Sequence, residues 1–158
     1  MPRGHVKIRK SSIGVDVKYS SPVIAKLINY IMFNGKKTIA ERIVYMAFEK
    51  ASEQLKLDPM EIFEQAIKNV GPIVEVKSKR IGGANYQVPM EVSRDRRNTL
   101  AMRWVIAAAR SQKGRPMNER LATEIINAFK GEGNAIKKKE DTHRMAEANK
   151  AFAHFARF

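Results

Sequence analysis

NVGPIVEVKSKRIGGANYQVPMEVSRDRR, residues 69–97, contains the change of period on which the fold turns. Before it, apolar residues recur with the 3.6-residue spacing of a helix; from Val74 the pattern shifts toward period 2, and after Ser93 the helical spacing returns. Two β-prone runs, VKSKRI and YQVPMEV, are joined through Gly82-Gly83, and Lys77, Lys79, Arg80, Arg94, Arg96 and Arg97 load them and the following segment with cations. A strand inside a core cannot carry charge at successive positions, because an unpaired buried charge costs several kcal/mol or more. The stretch therefore predicts a basic β-hairpin over about 73–92 that projects into solvent and runs directly into a basic helix. Residues two apart share a face of such a ribbon. Glu75, Lys77 and Lys79 line one side and Val74, Val76, Ser78 and Arg80 the other, so the base is expected to pack through its valines while the tip carries charge.

Outward from the hairpin, the rest reads as helix. Ser20-Ser21-Pro22 has the form of a helix start, followed by one apolar stripe of Val23, Leu27 and Ile31 beside Ile24, Ile28 and Met32 that ends at Asn34-Gly35. A second helix carries Ile39, Ile43, Ala47 and Ala51 flanked by Ala40, Val44 and Phe48. Asp58-Pro59-Met60-Glu61 has capping-box spacing and opens a third helix, which Gly71-Pro72 closes. Ser93 caps a fourth, buried through Leu100, Trp104, Ala107 and Ala108. Pro116 begins a fifth that ends at Gly131, and residues 134–155 make a sixth with Lys137-Lys138-Lys139 at its start. The expectation is a mainly α fold: a six-helix single domain with a protruding basic β-hairpin between the third and fourth helices. Residues 1–19, rich in Gly, Ser and cations without an apolar stripe, read as a flexible basic N-terminal arm, and 20–158 as the helical, RNA-binding domain.

Charge separates scaffold from contact surface. The net charge is +14, with 30 Lys and Arg against 16 Asp and Glu. Residues 21–70 are nearly balanced, at seven cations to six acids, whereas 71–120 hold eleven to four and 1–20 hold five to one. Such clustering points to a polyanion as partner. At 158 residues the chain removes roughly 70% of its unfolded surface from water without a staple. The absence of cysteine removes disulfides and thiolate metal sites and suits the cytosol. No apolar run approaches the ~18 residues of a membrane span, and no secretory segment is expected.

Enzyme chemistry does not assemble. Gly35-Lys36-Lys37-Thr38 mimics the end of a phosphate-binding loop, but Tyr30 stands where the first Gly belongs and a helix precedes it. Gly131 and Gly133 begin a dinucleotide fingerprint that Ile136 breaks. His5, His143 and His154 lack metal-ligand spacing, and the His143–Glu147 pair has no nucleophile beside it. No cofactor and no small-molecule substrate are expected.

The cations do form a pattern. Arg96, Arg103 and Arg110 drift only about 20° per heptad, which aligns three guanidiniums along one helix edge, and a planar guanidinium matches phosphate oxygens. Trp104 reads as a core anchor beside them. Tyr86 has two open uses, stacking on an unpaired base or packing across the ribbon. With 8% aromatics and no aromatic pattern on a sheet, recognition of shape and phosphate is favoured over base-by-base reading. The competing class is a DNA-bending architectural protein, since basic β-arms also wrap duplexes; such arms commonly end in an apolar wedge, and here the tip is Ile81-Gly82-Gly83-Ala84.

GKK at 35–37, AERIVYMAFEKA at 40–51, NVGPIVEVKSKRIGGANYQVPMEV at 69–92, LAMRW at 100–104, AAR at 108–110 and HRMAEANKAFAHF at 143–155 resemble, in order, the bacterial small-subunit ribosomal protein seven family. The resemblance implies a structural protein of the cytoplasmic ribosome, not an enzyme. Such a protein binds 16S rRNA directly, nucleates assembly of the subunit head, and lies at the subunit interface near the decoding centre. It also implies a hairpin beside exit-site tRNA and contacts with neighbouring small-subunit proteins nine and eleven. Lys36, Lys37, Lys77, Arg94, Arg96, Arg97, Arg103 and Arg110 are assigned to rRNA on the matched blocks. Arg3, Arg9, Lys10, Lys113, Arg115, Lys137, Lys138 and Arg144 are assigned to rRNA as further basic residues. Lys79, Arg80, Gly82, Gly83 and Tyr86 are assigned to the tRNA-proximal tip.

Overall fold

The computed structural model describes residues 14–157; Arg3, Arg9 and Lys10, and most of the expected arm, lie outside the described residues. The order of elements is α1 (Pro22–Ile31), α2 (Lys37–Leu55), α3 (Pro59–Val70), β1 (Val74–Ile81), β2 (Ala84–Glu91), α4 (Arg94–Ser111), α5 (Met117–Lys130), α6 (Asn134–Ala148) and a 3₁₀ segment, Lys150–Arg157. The mainly helical class and the hairpin between the third and fourth helices are both present. The C-terminal helix differs from the expected single run. At Asn149 the backbone amide and the side-chain Nδ2 both donate to the Met145 carbonyl, at 3.2 and 2.8 Å, closing α6, and the chain rewinds as 3₁₀. That winding eclipses residues three apart, which sets Phe152 and Phe155 on one line facing the hairpin.

Local chemistry accounts for the boundaries. Asp58 Oδ2 accepts from the Met60 and Glu61 amides at 2.9 and 3.4 Å and caps α3. The hairpin turn places Gly82 and Gly83 at φ +57° and +90°, the pair of left-handed residues that a two-residue turn of this twist requires. The antiparallel register runs from Val74 opposite Glu91 to Ile81 opposite Ala84.

The core forms around α5, which lies against α2, α3, α4 and α6. Leu27, Phe48, Ile62, Phe63, Met102, Leu121 and Ile125 are almost wholly buried. Trp104 packs half-buried against this cluster, an anchor as expected. Ile39, read as part of the buried stripe of α2, is instead 52% exposed because it precedes the part of the helix that meets the core at Ala40 and Val44.

The folded part begins earlier than residue 20. Asp16 is buried, receives the Tyr45 hydroxyl at 2.6 Å, and accepts from the Lys18 and Tyr19 amides at 3.1 and 3.0 Å. Burial, and then the bond to Asp16, push the Tyr45 hydroxyl up to about 12, so it remains a proton donor. Lys18 pairs with Glu49 and lies over the Tyr19 and Tyr45 rings. The boundary expected at 19–20 therefore falls within a segment already clasped to α2.

Candidate nucleic-acid interface

The hairpin packs by its lysine face, which corrects the expectation that Val74 and Val76 would form the inner side. Glu75 is buried; its Oε2 accepts from Arg96 Nε and Nη2 at 3.3 and 3.2 Å, and Lys77 Nζ lies 3.2 Å from its Oε1. Val88, opposite Lys77 in the register, is fully buried on the same face. Lys79 Nζ donates to the Phe155 carbonyl at 3.0 Å. The Tyr86 ring packs 5.2 Å from Phe152 and 5.5 Å from Phe155, so it packs as one of its two readings had it, but against the C-terminal tail and not across the ribbon, where its partner is Lys79. The tail carbonyls compensate the half-buried Lys79, while Lys77 stays exposed and reaches the buried Glu75 carboxylate from the edge of this face.

A histidine anchors the base of the ribbon. His143 Nε2 accepts from the Ile73 amide at 3.1 Å, and desolvation, followed by the Lys139 and Arg97 charges, lowers its pKa. The His143–Glu147 pair that the spacing allows does not form; Glu147 pairs with Lys150. Neither His143 nor the hub role of Glu75 was legible beforehand; the only hint was that Glu75 is the single acid among the β1 cations.

Along α4 the arginines divide. Arg96 holds Glu75. Arg97 donates from Nε to the Gly71 carbonyl at 3.1 Å and from Nη2 to the Lys68 carbonyl at 3.3 Å, satisfying carbonyls at the C-terminal end of α3 where a cation also favours the helix dipole. A Cβ at Gly71 would stand 2.7 Å from Arg97 Nε, so this glycine makes room for the guanidinium. Arg110 Nη2 reaches the Ile31 carbonyl at the end of α1 at 3.3 Å. Arg103 lies over the Tyr30 ring, 5.4 Å from its centroid, and makes no hydrogen bond within the described residues. The aligned row is therefore present, but two of its three members also hold the fold.

The remaining cations divide similarly. Arg144 pairs with Asp141, and Lys37 lies 3.9 Å from Glu41. Lys36, Arg80, Arg94, Lys113, Arg115, Lys137 and Lys138 are exposed and form no side-chain hydrogen bond or ion pair among the described residues. Lys36 stands at the N-terminal end of α2, whose first turn contains no acid and no side-chain cap, a helix end that favours an anion. Chemically, these groups can neutralise phosphate. Among the described residues no set of three or more His, Cys, Asp or Glu could hold a metal, and no helix is long and apolar enough to cross a membrane.

The family model described as ribosomal protein S7p/S5e matches residues 2–150. The small ribosomal subunit protein uS7 of Thermotoga maritima is 56% identical over 149 residues, covering 94% of this chain and 96% of that protein. The protein of the same name from Chloroflexus aurantiacus is 55% identical over 157 residues, covering 99% of each.

Proposed function

This chain belongs to the ribosomal protein S7p/S5e family, and on that premise we propose that it binds 16S rRNA directly and nucleates assembly of the small-subunit head. Membership makes its role structural, within the small ribosomal subunit. The observation that carries the RNA reading is the set of exposed cations left uncommitted by the fold, from Lys36 through Lys113 and Arg115 to Lys137 and Lys138. Phosphate contacts of this kind position a folded RNA without reading its bases. The tip, with Arg80 exposed beside Gly82 and Gly83, is suited to a backbone that approaches closely, and we assign it to exit-site tRNA. The finer placement, at the subunit interface beside the decoding centre and against small-subunit proteins nine and eleven, is part of the same proposal.

A DNA-bending role lacks support at the tip: the turn is two glycines, and Pro89 pairs with Val76 in mid-ladder instead of forming a wedge. Binding of a 16S head-domain fragment and of duplex DNA, measured in the same salt, tests the proposal. Preference for the rRNA fragment is expected, and equal affinity would overturn it.

A further inference from the structure

Arg103, Ala107 and Arg110 stand at i, i+4 and i+7 on α4, so they share one face of the helix, and a small side chain separates two long cationic ones. The result is a notch. Opposite it lies Tyr30, near the end of α1, and the two helices enclose a cleft of about 550 Å³ lined by Tyr30, Arg103, Ile106, Ala107, Arg110 and Ser111. No acid lines it. Ile106 is buried and supplies an apolar floor, while Ala107, read from the sequence with the buried side of α4, is exposed in the opening. The Tyr30 ring packs half-buried against the core with Arg103 over it, and its hydroxyl makes no hydrogen bond among the described residues. Arg110 commits only Nη2, to the Ile31 carbonyl, of the five N–H donors that a guanidinium carries.

We propose that this cleft takes one unpaired base of the bound RNA, with Arg103 and Arg110 on the phosphates at either side of it. The inference rests on the RNA-binding reading and deepens it. A phosphodiester backbone alone would satisfy the two guanidiniums but leave Ile106, Ala107 and the Tyr30 ring uncovered. An unpaired base supplies the planar, apolar part. Proteins that recognise single-stranded RNA stack such bases on aromatic rings and on guanidinium planes, and the cleft offers one of each. Its lack of carboxylates suits the charge that accompanies the base. Elsewhere the basic surface holds phosphate without reading a base; at this position it reads one.

The test measures affinity for a 16S head-domain fragment across salt concentrations, for the full chain and its variants. Ala107→Leu fills the notch at an exposed helical position without altering charge, and leucine is a good helix former, so folding should survive. Binding should weaken roughly tenfold, the size of one lost base stack. The slope of log affinity against log salt should not change, because no phosphate contact is removed. Tyr30→Leu should show the same loss, whereas Tyr30→Phe keeps the ring and should retain most of the affinity. Full affinity in Ala107→Leu, or a fall in its slope magnitude of about 0.7 or more, overturns the base site. It is also wrong if Ala107→Leu weakens binding of an end-blocked Glu-Phe peptide and leaves RNA affinity intact, since the occupant is then a polypeptide. Failure of the RNA-binding reading looks different: the unmodified chain would then bind the fragment no better than duplex DNA, and both readings would fall together.

Discussion

Arg80 at the hairpin tip and Arg97 at the start of α4 are the same residue type in the same basic stretch, yet their surroundings differ. Arg80 projects into solvent without a partner among the described residues, whereas Arg97 is half-buried and closes the end of α3 through two carbonyls. Arg96, next to it, is drawn to the buried Glu75. A count of positive charge treats all three as RNA contacts. The difference indicates that cations in this molecule do two jobs, and that the intrachain partner distinguishes them.

Replacing members of each group should separate stability from affinity. The largest effect is expected for Arg97→Ala, which leaves carbonyls at the end of α3 without their donor. Hydrogen bonds from charged groups contribute about 1.5–3 kcal/mol, so thermal unfolding should fall by several degrees, while RNA affinity of the folded protein changes little. Arg96→Ala should cost less, about 1–2 kcal/mol: Glu75 remains buried with Lys77 as its other partner, and the half-exposed Arg96 discounts the larger cost of breaking a fully buried pair. If either variant loses RNA affinity with its melting temperature intact, the division between structural and contact arginines fails.

A smaller effect should follow pH. Burial and neighbouring cations lower the His143 pKa, so the unfolded chain takes up its proton first as pH falls. The contribution is fully present above the unfolded value of about 6.5 and is lost as pH drops through that value toward the lower folded one. The bond to the Ile73 amide needs the neutral ring, so opening should concentrate at the hairpin base. Hydrogen exchange at Ile73 compared between pH 7.5 and 5.5 should show faster opening at the lower pH, after correction for intrinsic rates, and His143→Gln should flatten the difference. The smallest effect is expected from Arg80→Ala, which should leave thermal unfolding unchanged and weaken only retention of exit-site tRNA, read as tRNA occupancy on reconstituted subunits.

The hairpin and the start of α3 were legible because they rest on local chemistry, whereas Ser21 and Ser93 stand at the N-cap positions of α1 and α4 without a side-chain bond to the helix. The Gly82-Gly83 turn, the Asp58 cap and the change of period at Val74 are each contained within a few residues. What escaped was set by partners distant in sequence. His143 meets Ile73 seventy residues away, and Tyr86 meets the tail rings Phe152 and Phe155, 66 and 69 residues further on. The strand alternation correctly put Glu75, Lys77 and Lys79 on one face, but which face turns inward depended on Arg96, Val88 and the tail carbonyls. The arginine row on α4 was read correctly as a row, and its uses became visible only through the ends of α1 and the hairpin beside it.

The central claim is that RNA is held by the cations the fold leaves uncommitted. Its most direct test is the slope of log affinity against log salt for a 16S head-domain fragment. The measurement compares the unmodified chain with a variant in which Lys36, Lys113, Arg115 and Lys138, all exposed and without a side-chain hydrogen bond or ion pair among the described residues, are alanine. Each phosphate contact contributes roughly 0.7–0.9 to the slope, so the variant should lose about 3 in magnitude with its melting temperature unchanged. An unchanged slope in that variant, or an equal loss of slope in Arg97→Ala, would contradict the account.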